Sequence, residues 1–126
     1  MSNPLVSNLP LYQAAAVEDS LATEWTTLLS LDINADEEVY VTYIAVDFST
    51  GDNQQIRVLS NNEVLQSYTP MEGYIIMMFF NNELKFTNAD KRPFVIQFRT
   101  DGVVGHEFSG EAQITGVRKK IKKASK

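Results

Sequence analysis

The chain has 126 residues, 44% of them hydrophobic and 21% charged, and this composition is that of a folded globular domain rather than a disordered polypeptide. Its formal charge of −5 is unevenly distributed, because every acidic residue precedes Val117 while six of the eleven basic residues follow it. An acidic body repels phosphate backbones, and the absence of cysteine excludes disulfides and thiolate metal sites.

The amino-terminal segment, residues 1–24, mixes two prolines with the stretch YQAAAVEDSLATE. We expect an irregular N-terminal arm, and the pattern leaves open a helical turn around Ala14–Ser20. The first residues lack the basic start and apolar run of a signal peptide, and the longest apolar run, 74–80, is too short to span a bilayer. We therefore expect a protein made in the cytoplasm that has no membrane span.

From Trp25 onward the apolar pattern has a period of two, which is typical of strands. In VYVTYIAVDF, strict alternation predicts one face made of Tyr40, Thr42, Ile44, Val46 and Phe48. Alternation continues in 27–33 and 94–99, and a last strand is expected at about Phe108–Arg118. Together these segments predict a β-domain over residues 25–117.

Turn residues separate the predicted strands. Asn61-Asn62, Asn81-Asn82 and Asp101-Gly102 each predict a tight two-residue hairpin, since these residues tolerate positive φ. A further reversal is expected at Thr50–Asn53. About eight strands at this spacing, without a long helix, predict an all-β antiparallel sandwich or barrel.

One predicted strand, Tyr74–Phe80, is apolar on both faces. A sandwich strand normally shows water one polar face, so a second cover is expected over Ile75, Met77 and Phe79. Two alternatives stay open. Either this is a central strand under the chain's own arm or a loop, or these three residues form an interface with another subunit.

The chemical motifs are weak. Asp32, Asn34 and Asp36 have the spacing that opens a calcium loop, but Glu37 stands where glycine is required and Tyr43 where the bidentate glutamate is required. His106, the only histidine, is near Ser109 without a nucleophile turn. The sequence therefore predicts a non-enzymatic protein with no catalytic residue, no metal site and no cofactor. Trp25 and several tyrosines could instead form a sugar-binding platform; the tyrosine candidates are Tyr40, Tyr43, Tyr68 and Tyr74.

The basic C-terminal tail, residues 118–126, is the second candidate site. Its cations are Arg118, Lys119, Lys120, Lys122, Lys123 and Lys126. Two alternatives are a solubilising terminus and an electrostatic tether to an acidic partner, and nucleic acid would be contacted only through this tail, without base readout.

The stretch LSLDINADEEVYVTYIAVDFSTGDNQQIRVLSNNEVL and the later FVIQFRTDGVV resemble small β-sandwich accessory proteins of tailed bacteriophages and related viruses, including head decoration (cement) proteins. The resemblance rests on a pattern of strands and polar turns over Trp25–Val117. It implies a jelly-roll-like fold and a virion localisation, with a homo-oligomer docked on a major capsid or other virion protein.

Two functions follow as hypotheses. The first is a structural protein that self-associates and docks on a larger assembly. The second is a carbohydrate- or receptor-binding module. If the protein is not viral, we expect it in the cytoplasm.

Overall fold

The structure is a computed structural model that describes residues 5–48, 54–61, 63–68, 75–90 and 93–122. These residues form eight strands and no helix, so the all-β prediction is confirmed. The strands are β1 (Leu5–Ser20), β2 (Thr26–Ser30), β3 (Glu37–Phe48), β4 (Gln55–Ser60), β5 (Glu63–Tyr68), β6 (Ile75–Thr87), β7 (Phe94–Arg99) and β8 (Phe108–Lys122). Among these residues there is accordingly no helix of the length and apolarity needed to cross a membrane.

The strands form two antiparallel four-stranded sheets. Sheet I has the order β1-β8-β3-β6 and sheet II the order β2-β7-β4-β5. Antiparallel pairs join β1 to β8, β2 to β7, β3 to β6 and β4 to β5, so the chain is one long hairpin whose two halves pair along their length. Winding this hairpin adds the pairs β3·β8 and β4·β7 and produces a jelly roll.

The core lies between the two sheets. Sheet I contributes β-branched residues such as Ile44, Val46 and Ile114, all fully buried. Sheet II contributes Phe98, whose ring stacks on Phe108 of sheet I with centroids 4.4 Å apart. This layer of apolar side chains is what the alternating pattern of the sequence predicts.

A bulge in β3 breaks that alternation. Thr42 is an extra residue relative to β8, because Val41 and Tyr43 pair with the consecutive residues Gly116 and Thr115. On the other side, residues 80–83 of β6 lie opposite Thr42, so the register shifts there as well. Val39 and Val41 are buried before the bulge, and Ile44 and Val46 are buried after it. The prediction that the even-numbered residues 40–48 share one face is therefore wrong before the bulge.

Two predicted peripheral segments belong to the sandwich instead. Leu5–Ser20 is not an irregular arm or a helical turn but strand β1, paired with β8 along nearly its whole length. Residues 118–122 are not a free tail, because they continue β8: residues 118–120 lie between β1 and β3, and residues 121 and 122 pair with β1. The domain boundaries predicted at residues 24 and 117 are therefore corrected for the described residues.

The predicted turns have different outcomes. Asn61 has φ 49° and links β4 to β5 in the expected hairpin. Asn81-Asn82 does not turn: both residues lie inside β6, opposite the β3 bulge. Gly102 does have a positive φ of 79°, but the segment 100–107 passes from sheet II to sheet I, so it forms no two-residue hairpin. The reversal predicted at Thr50–Asn53 lies outside the described residues.

A glycine allows β8 to pass close to the bulge. A Cβ built on Gly116 would lie 1.9 Å from the carbonyl oxygen of Tyr40, closer than any real contact. Only glycine therefore fits here without a shift of the paired backbones.

We expect Gly116→Ala to lower the free energy of unfolding by about 1–3 kcal/mol, because the added methyl overpacks the β3–β8 contact. Urea denaturation measures this. The matched control is Gln113→Ala in the same strand, with an expected effect within about 0.5 kcal/mol. Equal stability of Gly116→Ala and the parent protein would contradict the close approach.

Candidate interaction surface

The basic end of β8 pairs with the chain's own acidic turn. The register aligns Lys120 with Glu37, Lys119 with Glu38 and Arg118 with Val39. The sequence predicts both an acidic turn and a basic tail, but it does not indicate that each is the other's neighbour.

Arg118 and Glu37 form a largely buried ion pair. Arg118 Nη1 bonds Glu37 Oε1 and also donates to the carbonyl oxygen of Asp32 at 3.1 Å. The side chains of Arg118 and Glu37 are only 19% and 4% exposed. Glu37 Oε1 also accepts the backbone N–H of Asn34 at 2.8 Å, so this carboxylate holds the turn as well. Arg118 therefore closes the end of the sandwich, and its contact with a partner stays a prediction.

A second, exposed charge group lies beside this pair. Lys85 Nζ is 3.0 Å from Glu38 Oε2, and the hydroxyl of Tyr40 donates to Glu38 Oε1 at 3.1 Å. The ammonium of Lys119 lies 4.6 Å from the centroid of the Tyr40 ring. The hydrogen bond from Lys85 lowers the pKa of Glu38, and the same bond raises the pKa of Lys85.

The remaining cations of the predicted tail are less engaged. Lys120 is exposed, and its ammonium is 3.9 Å from Asp36, a distance at which surface pairs contribute little. Lys122 is the last residue of β8, and its side chain is not described. Lys123 and Lys126 lie outside the described residues. Contact of these four lysines with a partner stays a prediction.

The outer face of sheet I is the larger candidate surface. Cross-strand neighbours share a face, so the continuous register of the four strands arranges this face in rows. The basic row is Asn8, Lys119, Glu38 and Thr87, and the row next to it is Pro10, Val117, Tyr40 and Lys85. The aromatic row, in the middle, is Tyr12, Thr115, Tyr43 and Phe79. Beyond it lie the row Ala14, Gln113, Ala45 and Met77 and then the acidic row, which is Ala16, Glu111, Asp47 and Ile75.

The aromatic row is exposed to a degree unusual for large apolar side chains. Phe79 is 66% exposed and Tyr12 is 60% exposed. The ring of Tyr43 packs on Phe79 with centroids 5.3 Å apart. Antiparallel sheets commonly present polar residues to water, so an outer face with this middle departs from expectation.

The structure answers part of the question of what covers the second apolar face of β6. β6 is an edge strand, not a central one, and β1 lies at the opposite edge of sheet I. The described part of the N-terminal segment therefore does not cover it. Phe79 is exposed, while Ile75 and Met77 occupy outer-face positions by register and their side chains are not described. An intermolecular interface for these three residues stays a prediction.

Tyr12 and Tyr43 were not predicted as members of this surface. A signal for Tyr12 exists, because Leu11, Ala15 and Val17 all fall on odd-numbered positions of the segment interpreted as an arm, as residues on one face of a strand do. The position of Tyr43 depends on the β3 bulge, for which the sequence carries no clear signal.

The described members of the proposed sugar platform lie on different sheets, because Trp25 contacts sheet II and Tyr40 and Tyr43 belong to sheet I; sugar binding stays a prediction. The guanidinium carbons of Arg57 and Arg99 lie 4.2 and 4.3 Å from the centroid of the Trp25 ring, so both guanidinium groups pack over the indole. Tyr40 is covered by Lys119 and Tyr43 packs on Phe79. The side chain of Tyr68 and all of Tyr74 are outside the described part.

His106 has a local role in the β7–β8 connection. Its Nδ1 lies 2.9 Å from Asp101 Oδ2, while the hydroxyl of Ser109 accepts the backbone N–H of Asp19 at 3.0 Å. The imidazole and this hydroxyl therefore have different partners. The neighbouring Glu107 accepts the backbone N–H of Gly105, and this bond lowers the pKa of its carboxyl.

The acidic turn forms part of an open cavity of about 690 Å³ lined by residues 35–38 and 87–89. Its charged members already bond lysines and Arg118 of the chain. Within the described ranges, no group of three or more acidic or histidine side chains is arranged to hold a metal ion.

Comparison with known proteins gives little further information. No family model matches the chain, and no curated protein matches it. A solved structure described as Bacillus endospore appendages, a family of disulfide-linked pili, is similar at a TM-score of 0.39 and 13% identity, over 94% of this chain and 91% of that chain. The present sequence has no cysteine.

We expect Arg118→Met to lower the free energy of unfolding by about 3–5 kcal/mol, because the Glu37 carboxylate would remain buried without its cation. Lys120→Met, two positions along the same strand and exposed, is the control and should cost less than about 0.5 kcal/mol. Thermal and urea unfolding of both variants provide the measurement. Similar losses for the two substitutions would contradict a buried ion pair.

The Glu38–Lys85 pair has a defined pH dependence. Because the folded pKa of Glu38 is lowered, its contribution to stability is present above the ordinary glutamate pKa and is lost as the pH falls through the lowered value. Because the folded pKa of Lys85 is raised, its contribution is present below the ordinary lysine pKa and is lost as the pH rises through the raised value.

We expect Lys85→Met to return the pKa of Glu38 towards its ordinary value, as measured by NMR titration of the side-chain carboxyl. The pKa of Glu107 is the internal control, since its lowering comes from the Gly105 backbone and should persist. An unchanged pKa of Glu38 in the variant would argue against the pairing.

Proposed function

We propose that this protein is a non-enzymatic structural subunit that self-associates and docks on a larger assembly. The observation that carries the proposal is the aromatic row, in which Phe79 and Tyr12 remain 66% and 60% exposed in the single chain. Burial of such rings on association is favourable, at about 25 cal/mol per Å² of apolar surface. Aromatic side chains are also enriched at the centres of protein interfaces.

The ends of the sandwich support a scaffold role rather than a mobile site. Arg118 and Glu37 tie β8 to the β2–β3 turn. At the opposite end, Gln54 Nε2 donates to the carbonyl oxygens of His106 and Glu107 at 3.0 and 2.8 Å. The backbone N–H of Thr100 donates to the carbonyl of Ala22 at 2.7 Å. A sandwich that is tied at both ends and has exposed aromatic rings on one outer face suits repeated packing in an assembly.

The finer proposal is an accessory protein of a virion, such as a capsid decoration protein that binds a capsid shell. Its support is the resemblance of the strand and turn pattern, together with the jelly-roll topology. Jelly rolls also occur in lectins and cupins, so topology does not distinguish a virion protein from these classes. Mass spectrometry of virus particles purified from the host that makes this protein tests the virion proposal. Absence of the protein from the particles would reject it.

Self-association is tested by sedimentation velocity over a micromolar concentration range. We expect the parent protein to associate, and we expect Phe79→Ser and Tyr12→Ser each to raise the dissociation constant at least about tenfold by removing an aromatic contact. Val104→Ser is the matched control, since Val104 is 83% exposed and lies in the β7–β8 connection rather than in a strand of sheet I. Its association should be unchanged.

A strictly monomeric parent protein at these concentrations would overturn the proposal. Association that is unaffected by both aromatic substitutions would show that another surface is used. The melting temperature of each variant is measured alongside, so that a folding defect is not counted as lost association.

A further inference from the structure

The outer face of sheet I has ends of opposite charge. At one end, Asp47 and Glu111 lie in the acidic row, and Glu18 lies beside them around a shallow depression of about 240 Å³. All three side chains are exposed. This end is therefore strongly negative.

The opposite end is net positive. Lys119 lies in the basic row, and Lys85 lies in the adjacent row. One carboxylate, Glu38, lies among them and is bonded to Lys85 at 3.0 Å. The two ammonium groups therefore exceed the single carboxylate in charge.

The rows between the ends carry no charge of their own apart from Lys85. Tyr12, Thr115, Tyr43 and Phe79 form the aromatic row. Along β8, Thr115 is midway between Glu111 and Lys119, which are about 26 Å apart at the usual rise of a strand. The aromatic row is thus the midline of the charge gradient.

This arrangement is complementary to itself under one symmetry operation. Two copies can stack face to face about a two-fold axis that runs along the aromatic row, across the strands. The strands of the two copies then run in opposite directions, so Glu111 of one copy faces Lys119 of the second copy at both ends. On the neighbouring strand Asp47 faces Glu38 of the second copy, and the charge of this Glu38 is offset by its bond to Lys85. The net charges of the two facing ends remain opposite. Residues on the axis meet their own equivalents, which is favourable for aromatic rings and unfavourable for charges.

The other face-to-face arrangement is electrostatically poor. A two-fold axis parallel to the strands would place the acidic row against the acidic row, with Asp47 and Glu111 of both copies in one desolvated region. Like charges in that position cost several kcal/mol. The charge gradient therefore selects the axis across the strands.

We propose that the outer face of sheet I is the isologous interface of a two-fold symmetric dimer, with the aromatic row on the axis and Glu111 opposite Lys119 of the second copy. This inference rests on the proposed function and names its partner, a second copy of the same chain. Four strands about 4.8 Å apart give a face of about 20 Å by 30 Å, or roughly 600 Å² per copy. The total of roughly 1,200 Å² reaches the lower range of specific interfaces.

Charge reversal in two separate variants tests the geometry. Glu111→Lys places lysine on both sides of each contact between positions 111 and 119, and Lys119→Glu places glutamate on both sides. We expect each variant alone to dimerise on the order of tenfold more weakly than the parent protein, because like charges meet at both ends. Mixed together, the two variants should form a heterodimer, because each end then joins a positive to a negative side chain.

Sedimentation velocity measures the single variants, and native mass spectrometry with one isotope-labelled variant measures the mixture. Matched controls are Glu24→Lys and Lys120→Glu, which change the net charge equally. Glu24 lies in the β1–β2 connection, and Lys120 is one residue from Lys119 in the register position opposite Glu37. Neither control should alter dimerisation, and mixing the two controls should give no preference for the heterodimer.

The outcomes separate the two proposals. A monomeric parent protein would overturn both the self-association and the dimer. An associating parent with unaffected charge variants, or a mixture without heterodimer preference, would overturn the two-fold arrangement and leave self-association standing. Weakened single variants with a restored heterodimer are the result that the geometry predicts.

Discussion

The position of β8 between β1 and β3 is the constraint on which the rest of this structure depends. A strand in the middle of a sheet satisfies its backbone donors and acceptors on both sides, and β8 does so from Gly110 to Lys120. The last residues of β8 also place Arg118 at the end of the sandwich, where its guanidinium bonds Glu37 and the carbonyl oxygen of Asp32. The described part of the C-terminal basic segment, residues 118–122, is therefore a structural part of the jelly roll.

The position of β8 also determines where the separated acidic and basic residues of the sequence meet. The acidic turn before β3 would be a region of strong repulsion on its own, since Asp36, Glu37 and Glu38 are consecutive. The register of β8 brings Lys120, Lys119 and Arg118 alongside it. Segregated charge in the sequence becomes neighbouring opposite charge in the fold, which offsets repulsion at one end of the molecule.

The same register creates the two very different faces of sheet I. The inner face supplies buried residues such as Val39, Ile44 and Ile114 to the core. The outer face presents an acidic end, an aromatic middle and a basic end, and it is here that the structure departs from an ordinary sandwich. A sheet that hides an apolar inner face and also exposes aromatic side chains on its outer face has a physical reason to associate, because association removes those rings from water.

Some errors in the sequence interpretation share one origin, the bulge at Thr42. Alternation predicts one face for Tyr40 and Ile44, but the extra residue switches the parity, so Tyr40 lies outside and Ile44 inside. Asn81-Asn82 belongs to the four residues of β6, 80–83, that lie opposite this bulge. The two asparagines therefore lie within the strand and do not form a turn. Register shifts of this kind arise from pairing with neighbouring strands, so a local pattern does not encode them.

By itself the sequence determined the all-β class, most strand positions, the hairpin at Asn61 and the separation of acidic from basic residues. These features depend on local preferences: β-branched alternation, turn residues and composition. Only the tertiary structure decided that Leu5–Ser20 is a strand, that β6 is an edge, and that Arg118 meets Glu37 across 81 positions of sequence. Any two extended segments can form the same backbone hydrogen bonds, so the choice of partner is made by packing of the whole chain and not by either segment alone.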